Sequence, residues 1–130
     1  MLRLFLFTPL IALGQCQSDE SVAAYGASEA TWVLESIAGA PVTAPSTLTF
    51  PETGRIAGKA PCNSYSGALE APYPWFEVND LSATRMACPE LEAEGTYFAA
   101  LMAMTQSEVS GDVLILRNDQ GYEMVFKSGE

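Results

Sequence analysis

Alternating apolar and polar positions mark most of this chain as β-structure. Residues 31–37, Thr-Trp-Val-Leu-Glu-Ser-Ile, mix β-branched and aromatic side chains and predict a first strand with Trp32 and Leu34 facing inward, ended by Gly39-Ala40-Pro41. Residues 48–50 and 56–59 predict a short pair, joined as a hairpin by the turn residues Pro51-Glu52-Thr53-Gly54. At 62–67 the pattern breaks, and Asn63 with Gly67 predicts tight local geometry instead of regular structure. Pro72-Tyr73-Pro74 forces extended backbone, after which 75–78 and 81–87 each predict a strand. Residues 107–110, 112–117 and 122–127 predict a meander, with Asn118-Asp119-Gln120-Gly121 as its last hairpin loop.

One segment carries a helical period. Pro89 suits the first helical position, where its missing N–H has no partner to lose, and Glu90, Glu92 and Glu94 complement the positive end of the helix dipole. Leu91, Phe98, Leu101 and Met102 then recur on one side as far as Met104, while Gly95 weakens the helix by about 1 kcal/mol relative to alanine. A single helix between groups of strands, without strand–helix alternation, predicts an α+β fold with a mostly antiparallel sheet.

The first fifteen residues read as a signal peptide. Arg3 supplies a positive start, and the apolar run 4–13 is too short to span a bilayer core of about 30 Å as a helix. Leu13-Gly14-Gln15-Cys16 resembles the lipobox of bacterial lipoproteins, which implies acylation of Cys16, although Gln15 stands where Gly, Ala or Ser is usual. Cleavage after Gly14 and release of a soluble protein is the alternative. Both place the body outside the cytoplasm, in the periplasm; the first anchors it to the outer membrane. Residues 16–29, small and acidic without an apolar period, predict a flexible tether, and 30–130 the domain.

Composition narrows the function. At 130 residues there is room for one domain. The net charge of −10 becomes −11 without Arg3, and the basic residues Arg55, Lys59, Arg85, Arg117 and Lys127 are scattered. Nucleic acid, whose phosphates demand clustered cations, is therefore excluded as a partner, and membrane contact is expected through the lipid anchor alone. Three cysteines are an odd count for an exported chain. Acylation of Cys16 leaves Cys62 and Cys88 to form a disulfide, worth about 3.5 kcal/mol in the chain-entropy account, or to remain as two buried thiols.

A family resemblance rests on Trp32, Leu34, Gly39, Pro41, Leu48, Phe50, Ile56 and Gly58, on Cys62-Asn63-x-Tyr65-x-Gly67, and on Thr84-x-Met86-Ala87-Cys88 with a last strand ending at Phe126. Over residues 30–127 the chain resembles the META domain, or HslJ-like, family; Pro61 departs from the glycine usual before the cysteine. The resemblance implies a curved antiparallel sheet or partly open β-barrel covered by one α-helix, often on an exported or lipid-anchored chain, with links to heat-shock and envelope-stress responses and no agreed enzymatic activity. The fold also resembles that of secretin-pilot lipoproteins, which implies an alternative role in binding a hydrophobic ligand or peptide.

Candidate chemistry is sparse. The absence of histidine removes Ser-His and Cys-His catalysis and the usual zinc sets. Lys59 beside Ser64 or Ser66, and Glu70 with Glu77 or Asp80, read as solvated surface groups, and 118–121 lacks the spacing of a calcium loop. No catalytic residue, metal or cofactor is expected, nor more than a monomer. Asn63, Tyr65, Gly67, Thr84, Arg85 and Met86 remain as a binding loop or a structural one, with Arg85 expected to donate to loop carbonyls or to Glu70. Tyr65, Tyr73 and Trp75 exposed together would mark a recognition surface. A cavity lined by Trp32, Phe50, Phe98, Met102 and Met104 would mark a ligand module.

Overall fold

The computed structural model describes residues 21–129. Its strands are β1 (Thr31–Ile37), β2 (Ala40–Pro41), β3 (Thr47–Leu48), β4 (Arg55–Lys59), β5 (Ser64–Leu69), β6 (Val78–Ala83), β7 (Gln106–Ser110), β8 (Val113–Arg117) and β9 (Glu123–Gly129), with helix α1 (Leu91–Ala103) between β6 and β7. One sheet runs β2-β1-β9-β8-β7, with β3 also paired to β1, and a second runs β4-β5-β6. Every strand pair is antiparallel.

Two narrow seams hold the sheets around a common core without closing them. At one, Thr49 and Ala57 exchange N–H···O bonds of 2.7 and 3.0 Å. At the other, Trp75 bridges Gln106, the Phe76 amide donates to Thr105 O (2.9 Å), and the Ser107 amide donates to Pro74 O (2.7 Å). The result is the α+β, partly open barrel expected from the sequence. Helix α1 packs against β6 and delivers Tyr97 and Leu101 to the core, with Met104 just beyond its end.

Period-two alternation sorts the strands as it should. Trp32 and Leu34 of β1, Leu114 and Leu116 of β8, and Met124 and Phe126 of β9 are buried against Ile56, Tyr65 and Leu69 of the second sheet. Burying a side chain of this size contributes about 1.5–3 kcal/mol. A register shift between Leu34 and Ser36 bends β1, and the Glu35 carbonyl accepts from the Val42 amide at 3.0 Å.

Strand β1 spans its expected residues, and the C-terminal meander forms within a residue or two of its predicted bounds. Other boundaries shift for identifiable reasons. The turn at 51–54 forms, but the predicted hairpin shrinks to the Thr49–Ala57 bridge because β3 pairs with β1 and β4 with β5. Residues 64–67, expected to be irregular, are strand, since serine and glycine on β5 still complete the ladder to β4. The two strands predicted at 75–78 and 81–87 are a single strand, Val78–Ala83. The helix begins at Leu91 with Glu90 as its cap, and its buried face is Glu94, Tyr97 and Leu101; Leu91 and Met102 are exposed.

The expected tether also ends early. Residues 16–20 lie outside the described residues, but Val22–Tyr25 form a 3-10 helix, and Val22, Ala23 and Ala27 are buried. The indole N–H of Trp32 donates to Ala27 O at 2.8 Å, which fixes this segment to the body. Small residues read as flexible because they lack an apolar period, yet three of them fit the core without bulk.

Two glycines should respond oppositely to alanine. A Cβ at Gly58 would sit 2.1 Å from Thr47 O and 2.8 Å from the Tyr65 hydroxyl, whereas at Gly95 it meets nothing within 4 Å. Urea denaturation is expected to show Gly58→Ala losing about 2–4 kcal/mol and Gly95→Ala gaining about 0.5–1 kcal/mol.

Candidate functional site

Several of the loop residues singled out in the sequence converge on one buried side chain, Asn63. Its Nδ2 donates to Glu94 Oε2 (2.7 Å) and to Met86 O (3.2 Å), and its Oδ1 accepts from the Met86 amide (2.6 Å) and from Thr84 Oγ1 (3.0 Å). Two donors and two lone pairs are all that a carboxamide offers, so the group is saturated. The isosteric aspartate lacks both N–H donors. Thr84 extends the network, since its Oγ1 also accepts from the Ser64 amide at 3.2 Å.

Glu94 completes the arrangement from α1. It is 5% exposed, and its Oε1 accepts from the amides of Cys62 (3.0 Å) and Asn63 (2.7 Å). A carboxyl group on the helix thus caps the turn entering β5, while Asn63 ties that turn to residues 84–86. A covalent link parallels the polar one: Cys62 and Cys88 form a disulfide, Cα to Cα 5.8 Å, across 26 residues. Of the two fates open to these cysteines, the bonded one holds. Their sulfurs and a Glu90 carboxylate oxygen lie within 4.8 Å of one another. With both sulfurs committed to each other, no thiolate is left there to bind a metal.

Beneath this loop lie two tyrosines. The Tyr65 and Tyr97 hydroxyls are 2.6 Å apart, and Tyr65 donates to Thr47 O at 2.5 Å in the space that Gly58 leaves open. Tyr97 also reaches Thr47 O, at 3.3 Å, and the two rings meet edge to face with centroids 5.7 Å apart. Burial pushes the Tyr65 phenol well above the ordinary tyrosine value, and its hydrogen bond to Tyr97 offsets only part of this. Tyr97 is raised too, by burial first and then by its charge interaction and hydrogen bond with Tyr65. Both are proton-holding structural groups at neutral pH.

Outside the network an open groove of about 540 Å³ runs between α1 and β6 with its continuation. Asn63, Thr84, Arg85 and Met86 all line it, together with Leu81, Leu91 and Phe98. Of the predicted loop set, Tyr65 is instead buried below and Gly67 lies farther along β5, packed close to Asn79 and Leu81. Tyr65, Tyr73 and Trp75 do not form an exposed cluster, since Tyr65 is buried and Tyr73 half-buried while Trp75 is exposed. Glu70 accepts from Asn79 Nδ2 (2.7 Å), not from Arg85. Lys59 and Ser64 are register partners with both side chains exposed. Asn118 Oδ1 accepts from the Gln120 and Tyr122 amides and so makes a turn. Cys16 lies outside the described residues.

Sequence reasoning missed Glu94, Tyr97 and Thr47. Glu94 looked like a dipole partner in a run of glutamates. The spacing 94, 97, 101, 104 does follow one helical face, but it starts on a charged residue, and an apolar count therefore skips it.

Comparisons with known proteins agree with the fold. The META domain matches residues 26–130. An NMR structure of a protein from Burkholderia xenovorans superimposes with a TM-score of 0.66 at 25% identity, covering 96% of this chain and 99% of the other. A second NMR structure gives 0.60 at 30% identity, over 76% and 88% of the two chains. The crystal structure of a DUF4847 family protein from Bacteroides vulgatus gives 0.69 at 15% identity over 84% and 98%, a likeness of fold. A search among curated proteins finds no match. These names bring no enzymatic activity with them.

The tyrosine pair predicts an alkaline limit to stability. Because both folded-state pKa values lie above the ordinary value of 10.0, only the unfolded chain ionises first as pH rises. This contribution is whole below about pH 10 and falls above it, by up to about 1.4 kcal/mol per pH unit for each hydroxyl. Urea midpoints are expected to decline above about pH 10 in the wild type and less steeply in Tyr97→Phe. An equal decline in both would contradict the assignment.

Proposed function

Since the chain belongs to the META-domain family, we propose that it is a non-enzymatic protein of the cell envelope, exported, anchored to the outer membrane through Cys16, and supporting the envelope under heat or other stress by holding a protein partner. The observation that carries this reading is how the polar groups are used. Asn63, Glu94 and Thr84 spend their hydrogen bonds on one another and on the backbone, and the tyrosine hydroxyls are buried. What remains accessible at the site is apolar surface, the hydroxyl-bearing Ser82 and Thr84, and one guanidinium: Met86 is 63% and Leu91 46% exposed, beside Arg85. Such a surface suits recognition, not bond-breaking.

Export is supported by the apolar run 4–13, the lipobox-like residues 13–16 and the Cys62–Cys88 bond, which persists in an oxidising compartment. The hydrophobic-ligand alternative needs an internal cavity. Trp32, Phe50 and Met104 are instead packed core, and Met102 is 55% exposed, so the side chains expected to line such a cavity do not enclose one.

Two measurements test the proposal in cells. Labelled palmitate should enter the wild type and not Cys16→Ala, with the protein in the outer-membrane fraction. A photo-crosslinking residue at Met86 should give a protein adduct that increases on heat shock, while one at the exposed Tyr122, between β8 and β9 of the other sheet, should not. Absence of export, or equal adducts at the two positions, would contradict the reading.

A further inference from the structure

The second sheet ends at β6, and the ladder register shows which backbone groups its outer edge presents. The Thr84 amide donates to Ser64 O at 3.0 Å, and Ser82 lies opposite Ser66. Bonded pairs alternate along an antiparallel ladder, so Ala83, opposite Tyr65 between those two, turns its N–H and C=O away from β5. Two residues on, the Arg85 backbone makes no hydrogen bond among the described residues. Exposed edges are usually blunted by charged side chains, proline or a bulge. Here the bulge falls earlier, at Asp80 with φ 53°, and residues 81–88 contain no proline and one charged side chain, Arg85.

This free edge forms one wall of the groove, and α1 forms the other through Leu91 and Phe98. Leu81 and Phe98 are half-buried along it, and Met86 and Leu91 are exposed. Its charge is equally informative. Arg117 is paired with Glu108 (2.9 Å) and Glu123 (3.3 Å), and Lys127 with Glu35 (3.6 Å), but Arg85, like Arg55 and Lys59, forms no ion pair among the described residues, and of these three it is the one that lines the groove. On a chain of net charge −10, a polyacidic partner would be repelled, whereas a single carboxylate opposite Arg85 would not.

We propose that the groove binds an extended segment of the partner protein, added as a further strand beside β6 at Ala83 and Arg85. Alternate apolar side chains of that segment rest on Leu81, Met86, Leu91 and Phe98, and one Asp or Glu side chain meets Arg85. Backbone bonds supply affinity and the alternate pockets supply selectivity, as in other strand-addition complexes. The inference rests on the partner-holding reading above and names the chemistry of that partner.

The test pans a phage-displayed library of random nonapeptides on the purified, disulfide-bonded protein. Enriched peptides are then synthesised and titrated against wild type, Ala83→Pro and Arg85→Glu. Ala83→Pro removes an N–H that points away from β5 but also fixes φ there and restricts Ser82, whereas Arg85→Glu leaves the backbone untouched, so the second variant decides if the first fails to fold. Enriched sequences should alternate apolar residues and carry one carboxylate. Ala83→Pro should weaken binding at least tenfold, and Arg85→Glu about tenfold, with affinity regained when the peptide's acidic residue becomes lysine. Several results overturn the proposal: no enrichment, binding indifferent to both variants, a co-purified lipid that competes with the peptides, or a self-association that Ala83→Pro dissolves. If peptide binding fails but the heat-dependent adduct at Met86 persists, strand addition falls and partner holding stands. If the peptides bind as expected but the protein is not exported, strand addition stands and the envelope role falls.

Discussion

A buried carboxamide cannot be left half-bonded, and the architecture around the groove follows from satisfying Asn63. Its four side-chain hydrogen bonds draw in Glu94 from α1 and both Thr84 and Met86 from the segment after β6. An unsatisfied buried polar group costs about 1–3 kcal/mol, a large share of what a domain of this size holds in reserve. The network therefore ties together three pieces of chain: the turn entering β5, residues 84–86 and α1. The disulfide crosses the same junction, one residue before Asn63 and two after Met86. Covalent and polar links thus reinforce one boundary, where the second sheet meets the helix.

Below that junction the constraint is steric. Gly58 leaves room for the Tyr65 hydroxyl to reach Thr47 O, and Tyr97 joins from the helix. Asn63, immediately before β5, and Tyr65 within it are both buried, so one anchors the rim and the other the floor. These residues serve the fold and frame the groove.

Much of the fold was legible because it depends on local pattern. Trp32 and Leu34 were placed inward by period alone, and Leu114 with Leu116 and Met124 with Phe126 are buried at alternate positions of strands that the same pattern predicted. The site was legible only in outline. Asn63, Thr84, Arg85 and Met86 were singled out and do line one groove. Their relation to Glu94 was not, because a buried glutamate looks like any other in a run of acidic residues until its partners are known. The packed segment around Val22 and Ala27 escaped notice for a related reason: small residues carry no period, and their burial depends on Trp32 reaching back to bond Ala27. Pairing partners also compete, and the choice of β3 for β1 over β4 is a tertiary outcome that turn residues do not encode.

If Asn63 and Glu94 act as one unit, removing either should lose most of what removing both loses. A double-mutant cycle of Asn63→Ala and Glu94→Ala, read by urea denaturation of the oxidised protein, measures this coupling directly. The account predicts that each single variant loses about 2–4 kcal/mol and that the pair loses at least 1 kcal/mol less than the sum. Losses that simply add, or fall below about 0.5 kcal/mol each, would contradict it.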